Sequence, residues 1–224
     1  MKNIFFCVLC VGCLLSFTPV YAQWELGVRL GITANRLSQP VYVFTPSFQA
    51  GVYGKYTFAK RFGIQAEVLW GNKGANTFGV VEESVLGNIV ISERSDEKIR
   101  IQSLDIPVGV HYNIWNKLHI FVGLQPSWVI SSRFLEDVQE TQRSSTDNSL
   151  IQVTRQKKDV DTYNQTSPLE WSYFAGVAYQ WQRLNFSLRW VQGITPLNSR
   201  PGIDYFSQSI QLGIQYNLWP KKAE

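Results

Sequence analysis

Cysteine is almost missing from this 224-residue chain, and the three that occur, Cys7, Cys10 and Cys13, sit together near its start. The remainder has no thiol, which excludes a disulfide framework and a cysteine-ligated metal site there. Histidine is nearly as scarce, with only His111 and His119. No apolar run reaches the roughly 20 residues that a membrane-crossing helix needs; the longest is 14 residues, Ile4 to Phe17. An excess of one charge is also lacking, since 21 Lys and Arg stand against 17 Asp and Glu for a net +4. No basic cluster is interleaved with aromatics on one face, so a nucleic-acid partner is not expected. Mean hydropathy is −0.11, which argues against a helical membrane protein. A sheet that alternates apolar and polar positions would average out in the same way.

What is present begins with a leader. Lys2 precedes the apolar run, and Val20-Tyr21-Ala22 follow it. A positive start, a short apolar core and small residues at −3 and −1 predict a secretory signal cut after Ala22. Cleavage before Cys13, as in a lipoprotein, would leave a very short core and strand Phe17 and Val20-Tyr21 without a role. The expected division is residues 1–22 as signal, 23–219 as one barrel domain and 220–224 as a short tail. Removing Lys2 lowers the formal charge to +3.

The organising stretch is Leu104 to Ile130. On its first arm Leu104, Ile106, Val108, Val110, Tyr112 and Ile114 alternate with Asp105, Pro107, Gly109, His111 and Asn113; on its second, Leu118, Ile120, Val122 and Leu124 alternate with His119, Gly123 and Gln125. A period of two marks strands, and Trp115-Asn116-Lys117 is the tight turn of a hairpin. The same pattern recurs at Trp24–Asn35, Pro46–Phe58, Phe62–Gly71, Trp171–Trp181, Leu184–Trp190 and Phe206–Leu218. That makes eight strands, with tight turns after the second, fourth and sixth and long connections after the others. Between Asn72 and Ser103, Ile89–Ile91 and Ile99–Ile101 predict a strand pair turning at Ser95-Asp96, with a bulge near Gln102. Ser132 to Leu169 reads as a long polar loop. Pro107 and Pro126 lie in facing strands and predict a bulge or weakened pairing.

Three features predict lipid outside rather than a soluble core. The apolar parity carries no charge in any of the eight strands, and one Arg or Lys at the bilayer midplane would cost about 2–4 kcal/mol. The tryptophans sort into two girdles, Trp24, Trp115, Trp181 and Trp219 at the short-turn end and Trp70, Trp128, Trp171 and Trp190 one membrane thickness away. The opposite parity holds Glu25, Arg29, Lys55, Glu67, Asp105 and Arg189 together with nine glycines. A soluble lipocalin-like barrel would reverse these faces. The expectation is an all-β, eight-stranded antiparallel up-and-down transmembrane barrel of the outer membrane. Its turns would be periplasmic and short, its loops extracellular and long, both termini periplasmic, and its interior filled by side chains.

Two short stretches carry a family resemblance: Gly63-Ile64-Gln65-Ala66-Glu67-Val68-Leu69 with Lys73-Gly74-Ala75, and Ser103-Leu104-Asp105-Ile106-Pro107-Val108. They resemble a glycine- and glutamate-bearing strand and an aromatic-Leu-x-Ile-Pro-Leu strand of the PorT-like outer-membrane β-barrel family, with Ser103 where an aromatic is common. The resemblance implies the barrel fold and the outer-membrane location; the expected role, read from the absence of a catalytic constellation, is non-enzymatic and structural or interaction-based at the cell surface. Some members of that family are implicated in protein secretion across the outer membrane or in gliding, while many have no known role, so the resemblance does not carry the task. A link to secretion, with other envelope or secretion proteins met through the loops, is one expectation for the partners.

Candidate chemistry is sparse. His111 and His119 point inward across the hairpin and are expected to approach each other, either as a metal or proton-sensitive pair or as lumen fillers. A transition metal needs three or four ligands, and no third is identifiable by spacing. Glu67, Asp105, Arg29 and Arg189 offer acid–base groups, but buried mixed charges in a narrow barrel are more often structural pairs. A lipid-modifying barrel enzyme would need a Ser/His constellation toward the outer leaflet, and both histidines lie near the other end. No Gly-x-Ser-x-Gly turn or phosphate-binding glycine loop occurs. The reading therefore assigns no catalytic, cofactor-binding or metal-binding residue and no cofactor. A lipid-modifying enzyme and a narrow pore are the alternatives, and the bilayer of the outer membrane is the one partner the pattern itself implies.

Overall fold

The computed structural model describes residues 23–38, 43–77, 80–86, 89–115, 117–144, 146, 149–197 and 204–219. The expected signal segment and the C-terminal tail lie outside them. The strands are β1 (Gln23–Leu37), β2 (Thr45–Thr57), β3 (Phe62–Asn76), β4 (Val80–Leu86), β5 (Ile89–Asp105), β6 (Val108–Trp115), β7 (Leu118–Ser144), β8 (Leu150–Asp161), β9 (Leu169–Trp181), β10 (Leu184–Gly193) and β11 (Ser207–Trp219). All pairings are antiparallel, and β1 pairs with both β2 and β11, which closes the ring. The fourth wall strand is composite, because β3 pairs with the end of β5 and then with β6. The barrel therefore has eight staves, with β4 and β8 standing outside it.

Alternation along each stave sorts the side chains as the sequence predicts. Leu30, Ile32, Val52, Val122, Leu188 and Leu212 are exposed on the outside. Glu25, Arg29, Lys55, Glu67, Asp105, His111, His119 and Arg189 are buried within. An apolar outside and a charged inside is the arrangement lipid demands. All eight tryptophans face outward. In β7, ten residues separate Leu118 from Trp128. At about 3.3 Å per residue and a tilt of about 40°, that is roughly 25 Å, the height of the apolar band of such barrels. Among the described residues no helix is long and apolar enough to cross a membrane.

The two prolines interrupt the pairing where expected, but only locally. The wall strand does break at Ile106-Pro107, between β5 and β6. Both proline carbonyls still accept, Pro107 from the Glu67 amide and Pro126 from the Ile106 amide, each at 2.9 Å. The bulge near Gln102 is present as a register shift between Gln102 and Ser103 against β7. At the sixth-strand turn Gln182 adopts φ 55°, a left-handed conformation that closes a two-residue connection.

Two expectations about the connections need correcting. Ser95-Asp96 is no turn: Ile89 to Asp105 is one strand, and the chain reverses before it, where Leu86 pairs with Ile89. The polar stretch after Ile130 is no loop either, because β7 runs on to Ser144 and β8 returns alongside it as far as Asp161. The order β4-β5-β7-β8 makes a four-stranded sheet rising from one side of the barrel. It is held by continuous backbone pairing across β4, β5, β7 and β8.

Candidate functional site: the charged lumen

Among the described residues eight acidic and basic side chains share the interior, four of each sign: Arg29, Lys55, Lys73 and Arg189 against Glu25, Glu67, Asp105 and Glu170. Each is placed by strand parity, and together they form three tiers. Near the short-turn end Glu25 and Lys55 are register partners on β1 and β2. Asn217 donates to the Glu25 carboxylate at 3.1 Å, and the Tyr53 hydroxyl donates to Asn217.

The middle tier centres on Glu67. Its Oε1 accepts from Arg189 Nη2 at 2.7 Å, Arg29 Nη1 at 3.3 Å, Gln65 Nε2 at 2.6 Å and Gln215 Nε2 at 3.2 Å. Arg29, Glu67 and Arg189 are all at most 2 % exposed. The Arg189 guanidinium also lies over the rings of Phe174 and Phe121, 4.5 and 5.2 Å from their centroids. Cation–π contact is strongest where water is excluded. Small inward residues make the room: a Cβ on Gly213 would meet Arg29 Nη2 at 2.7 Å.

The upper tier is built on Lys73. Its ammonium lies 3.2 Å from Asp105, 3.0 Å from Glu170 and 2.8 Å from the Ser127 hydroxyl. Ser207 donates to the other oxygen of Glu170. Toward the long-strand end Leu37, Ala75, Ile101, Val129 and Leu197 pack together as an apolar cluster. Leu197 comes from the β10–β11 connection, which is tied down by Ser167 N to Leu197 O at 2.7 Å and Leu197 N to Tyr205 O at 2.8 Å.

The histidines meet as expected, with ring centroids 6.1 Å apart and planes 61° from parallel. His119 Nε2 shares a hydrogen bond of 3.2 Å with Asn185, which donates to Gln215 at 3.1 Å and so joins the Glu67 network. His111 packs against Gly63, where a Cβ would meet its ring at 2.2 Å. Among the described residues no group of three or more His, Cys, Asp or Glu comes together in a way that could hold a metal.

Of the four acid–base candidates, Arg29, Glu67 and Arg189 converge on one oxygen while Asp105 belongs to the Lys73 tier. Lys73 and Glu170 were missed as lumen charges. Parity could have found both, since Lys73 continues the inward series Glu67, Leu69, Gly71, and Glu170 begins the series Ser172, Phe174, Gly176. On the outside, a depression of about 670 Å³ crosses the wall at mid-height. Leu30, Ile32, Phe48, Leu188, Leu212 and Ile214 line it. It overlies a row of small inward residues, Gly31, Gly213 and Ser187.

A closed eight-stave ring with this inside-out partition has a counterpart among protein families. The model of the family described as outer membrane protein beta-barrel domain matches residues 18–199. The chain belongs to that family. Membership puts this barrel in the outer membrane, with the lipid bilayer against its apolar wall. Among solved structures the barrel is similar to Ail, the attachment invasion locus protein of Yersinia pestis, at 14% identity over 88% of this chain and 99% of that one, TM-score 0.43. It is also similar to Neisserial surface protein A, at 9% identity over 86% and 97% of the two chains, TM-score 0.41. A third similar structure is OprG from Pseudomonas aeruginosa, at 11% identity over 87% and 92%, TM-score 0.33. No curated protein matches the chain.

Proposed function

We propose that this barrel is a non-enzymatic docking protein of the outer membrane, holding a folded sheet beyond the lipid for another envelope or secretion protein to engage. The chain is exported by a signal spanning residues 1–22, and both termini face the periplasm, which puts the sheet at the cell surface. The observation that carries the reading is the contrast between a sealed lumen and a built exterior. Buried ions pair with one another around Glu67 and Lys73, and Leu37, Ile101 and Leu197 pack as an apolar cluster at the long-strand end. Beyond the wall, β7 and β8 stay paired from Arg133 to Arg143. A barrel whose interior only held itself together would have no use for so long an ordered projection. The likeness of Gly63–Leu69, Lys73–Ala75 and Ser103–Val108 to the PorT-like barrels supports a place in protein secretion.

The location of the histidines speaks against lipid-modifying chemistry, which needs its nucleophile and base at the lipid–water boundary. His111 and His119 are instead inward, buried and near the short-turn end. Photo-crosslinkers at Gln152 and Thr154 of β8 test the docking role in living cells. The expected result is one discrete protein adduct, lost when the chain between Leu135 and Val160 is replaced by a short turn. Adducts to lipid alone, or an altered membrane-lipid composition after gene deletion, would overturn the proposal. A lasting single-channel step in planar bilayers would contradict the sealed lumen.

A further inference from the structure

The outer surface of β5 and β7 changes character just above the upper tryptophans. Trp70, Leu104 and Trp128 form one register row across β3, β5 and β7, and Asn72, Gln102 and Ser131 form the next row outward. The following row is Gly74, Arg100, Arg133 and Asp161. Arg100 and Arg133 are thus directly opposite each other, both exposed and on the same face. Like charges in that relation destabilise an antiparallel pair. Compensation is thin. Asp159 reaches Arg133 only at 3.9 Å between exposed side chains, and an oxygen of Asp161 accepts from the Tyr163 amide. Among the described residues no carboxylate forms an ion pair with Arg100. Lys98 adds a further exposed cation on the same face one row higher.

Height selects the ligand. Four strand residues separate Arg100 from Leu104, roughly 10 Å above the girdle at about 3.3 Å per residue and a tilt near 40°. Arginine stems lie back along apolar surface, which brings the guanidinium down to the headgroup layer. A guanidinium fork matches phosphate oxygens two at a time, and two forks side by side fit one phosphate group better than any carboxylate within reach. Arg36, outward on β1, is already engaged: it donates to Gln208 at 2.7 Å and lies over Phe44 at 4.9 Å. The opposed pair is the place where an anion would relieve a repulsion.

We propose that Arg100 and Arg133, with Lys98 above them, clamp a phosphate group of a lipid headgroup in the leaflet at the long-strand end. That this leaflet is the outer one rests on the orientation proposed above; the clamp rests only on register, exposure and height. The probe is the protein extracted in zwitterionic detergent and titrated with a bisphosphorylated glucosamine-disaccharide lipid, with its dephosphorylated counterpart and with inorganic phosphate. Native mass spectrometry counts the bound molecules. The R100Q/R133Q variant should bind the phosphorylated lipid about tenfold more weakly, a loss of about 1.4 kcal/mol. R143Q/K157Q, which removes two exposed charges higher on the same sheet, should bind like the native protein. Without lipid the clamp variant should melt no lower than the native protein, and only the native protein should gain from adding lipid.

Three results would overturn the clamp: unchanged affinity in R100Q/R133Q, equal loss in R143Q/K157Q, or inorganic phosphate displacing the lipid at matched concentration. The first removes the site, the second reduces it to diffuse charge and the third makes it a free-anion site. An error in orientation shows itself separately, as protease cleavage of β8 from the periplasmic side with these affinities intact.

Discussion

The two ends of β7 lie in regions that hold the same kind of ion pair in opposite circumstances. Below Trp128 the strand is one stave of a wall with lipid on one side and a buried, charged lumen on the other; above Ser132 it is the middle of the projecting sheet, paired with β5 and β8. Glu67 with Arg189 and Asp137 with Arg155 are both close arginine–carboxylate pairs, at 2.7 and 2.6 Å. The first is almost wholly buried, while the second has side-chain exposures of 30% and 61%. Distance alone would rank them equal. What separates them is the alternative open to each group when its partner is lost: water is at hand for Asp137 and is not for Arg189. An ion pair in the lumen is an obligation, and one on the projecting sheet is a convenience.

That contrast is best attacked first at its strongest point. Glu67→Gln removes the one carboxylate that two buried guanidiniums share. Breaking a buried pair costs about 3–5 kcal/mol. The urea midpoint in lipid vesicles should fall accordingly, and a change below 1 kcal/mol (roughly, against that range) would mean that water enters the lumen freely. Next comes the lipid side of the same wall. Val122→Arg places a cation on the exposed mid-strand surface of β7, at about 2–4 kcal/mol. Reduced folded yield and loss of heat-modifiable migration are expected, and normal assembly would contradict the assignment of that face to lipid.

The barrel wall was legible in the sequence because lipid and lumen impose opposite demands on alternate residues. Wherever both operate, as from Leu118 to Gln125, period two is plain. The charges at Arg29, Glu67 and Arg189 could be placed inside for the same reason. Their convergence on one oxygen could not, since it depends on how three non-adjacent staves are tilted and staggered. Above the membrane the demand disappears. Glu136-Asp137-Val138-Gln139-Glu140-Thr141-Gln142 is polar on both faces and reads as loop, although it is paired on both sides. Part of the missed structure was within reach: Ile89, Ile91, Ile99 and Ile101 share one parity, as one strand requires and a hairpin turning at Ser95-Asp96 does not.

Smaller effects sharpen the comparison on the projecting sheet. Glu97 faces Glu136 across β5 and β7, and partial burial together with that neighbour raises its carboxyl above the ordinary range. A carboxyl whose folded value is raised favours the folded state most when protonated, so its contribution is lost as pH rises through that raised value. The β5–β7 pairing above the membrane should therefore tighten on acidification from neutral pH. Hydrogen exchange at Ile99 and Leu135, corrected for intrinsic rates, reports it, and Glu136→Gln should flatten the dependence. A slope that survives in the variant would assign it to another group. The smallest effect is expected from Arg155→Gln. Its bidentate contact with Asp137 is exposed, and such pairs contribute little to stability. Global melting should be unchanged; a clear drop would show that the sheet and the wall unfold together.

The continuation of β7 has a consequence for encounters beyond the lipid. Sixteen residues separate Trp128 from Ser144, and at about 3.3 Å each the strand carries its tip roughly 50 Å along its own path from the tryptophan belt. A mast of that stand-off places Leu150, Ile151 and Val153, all exposed near the tip, clear of the crowded layer next to the lipid. Whatever lands there can be too bulky to approach the membrane itself, and shortening the mast without altering its tip should exclude large visitors before small ones.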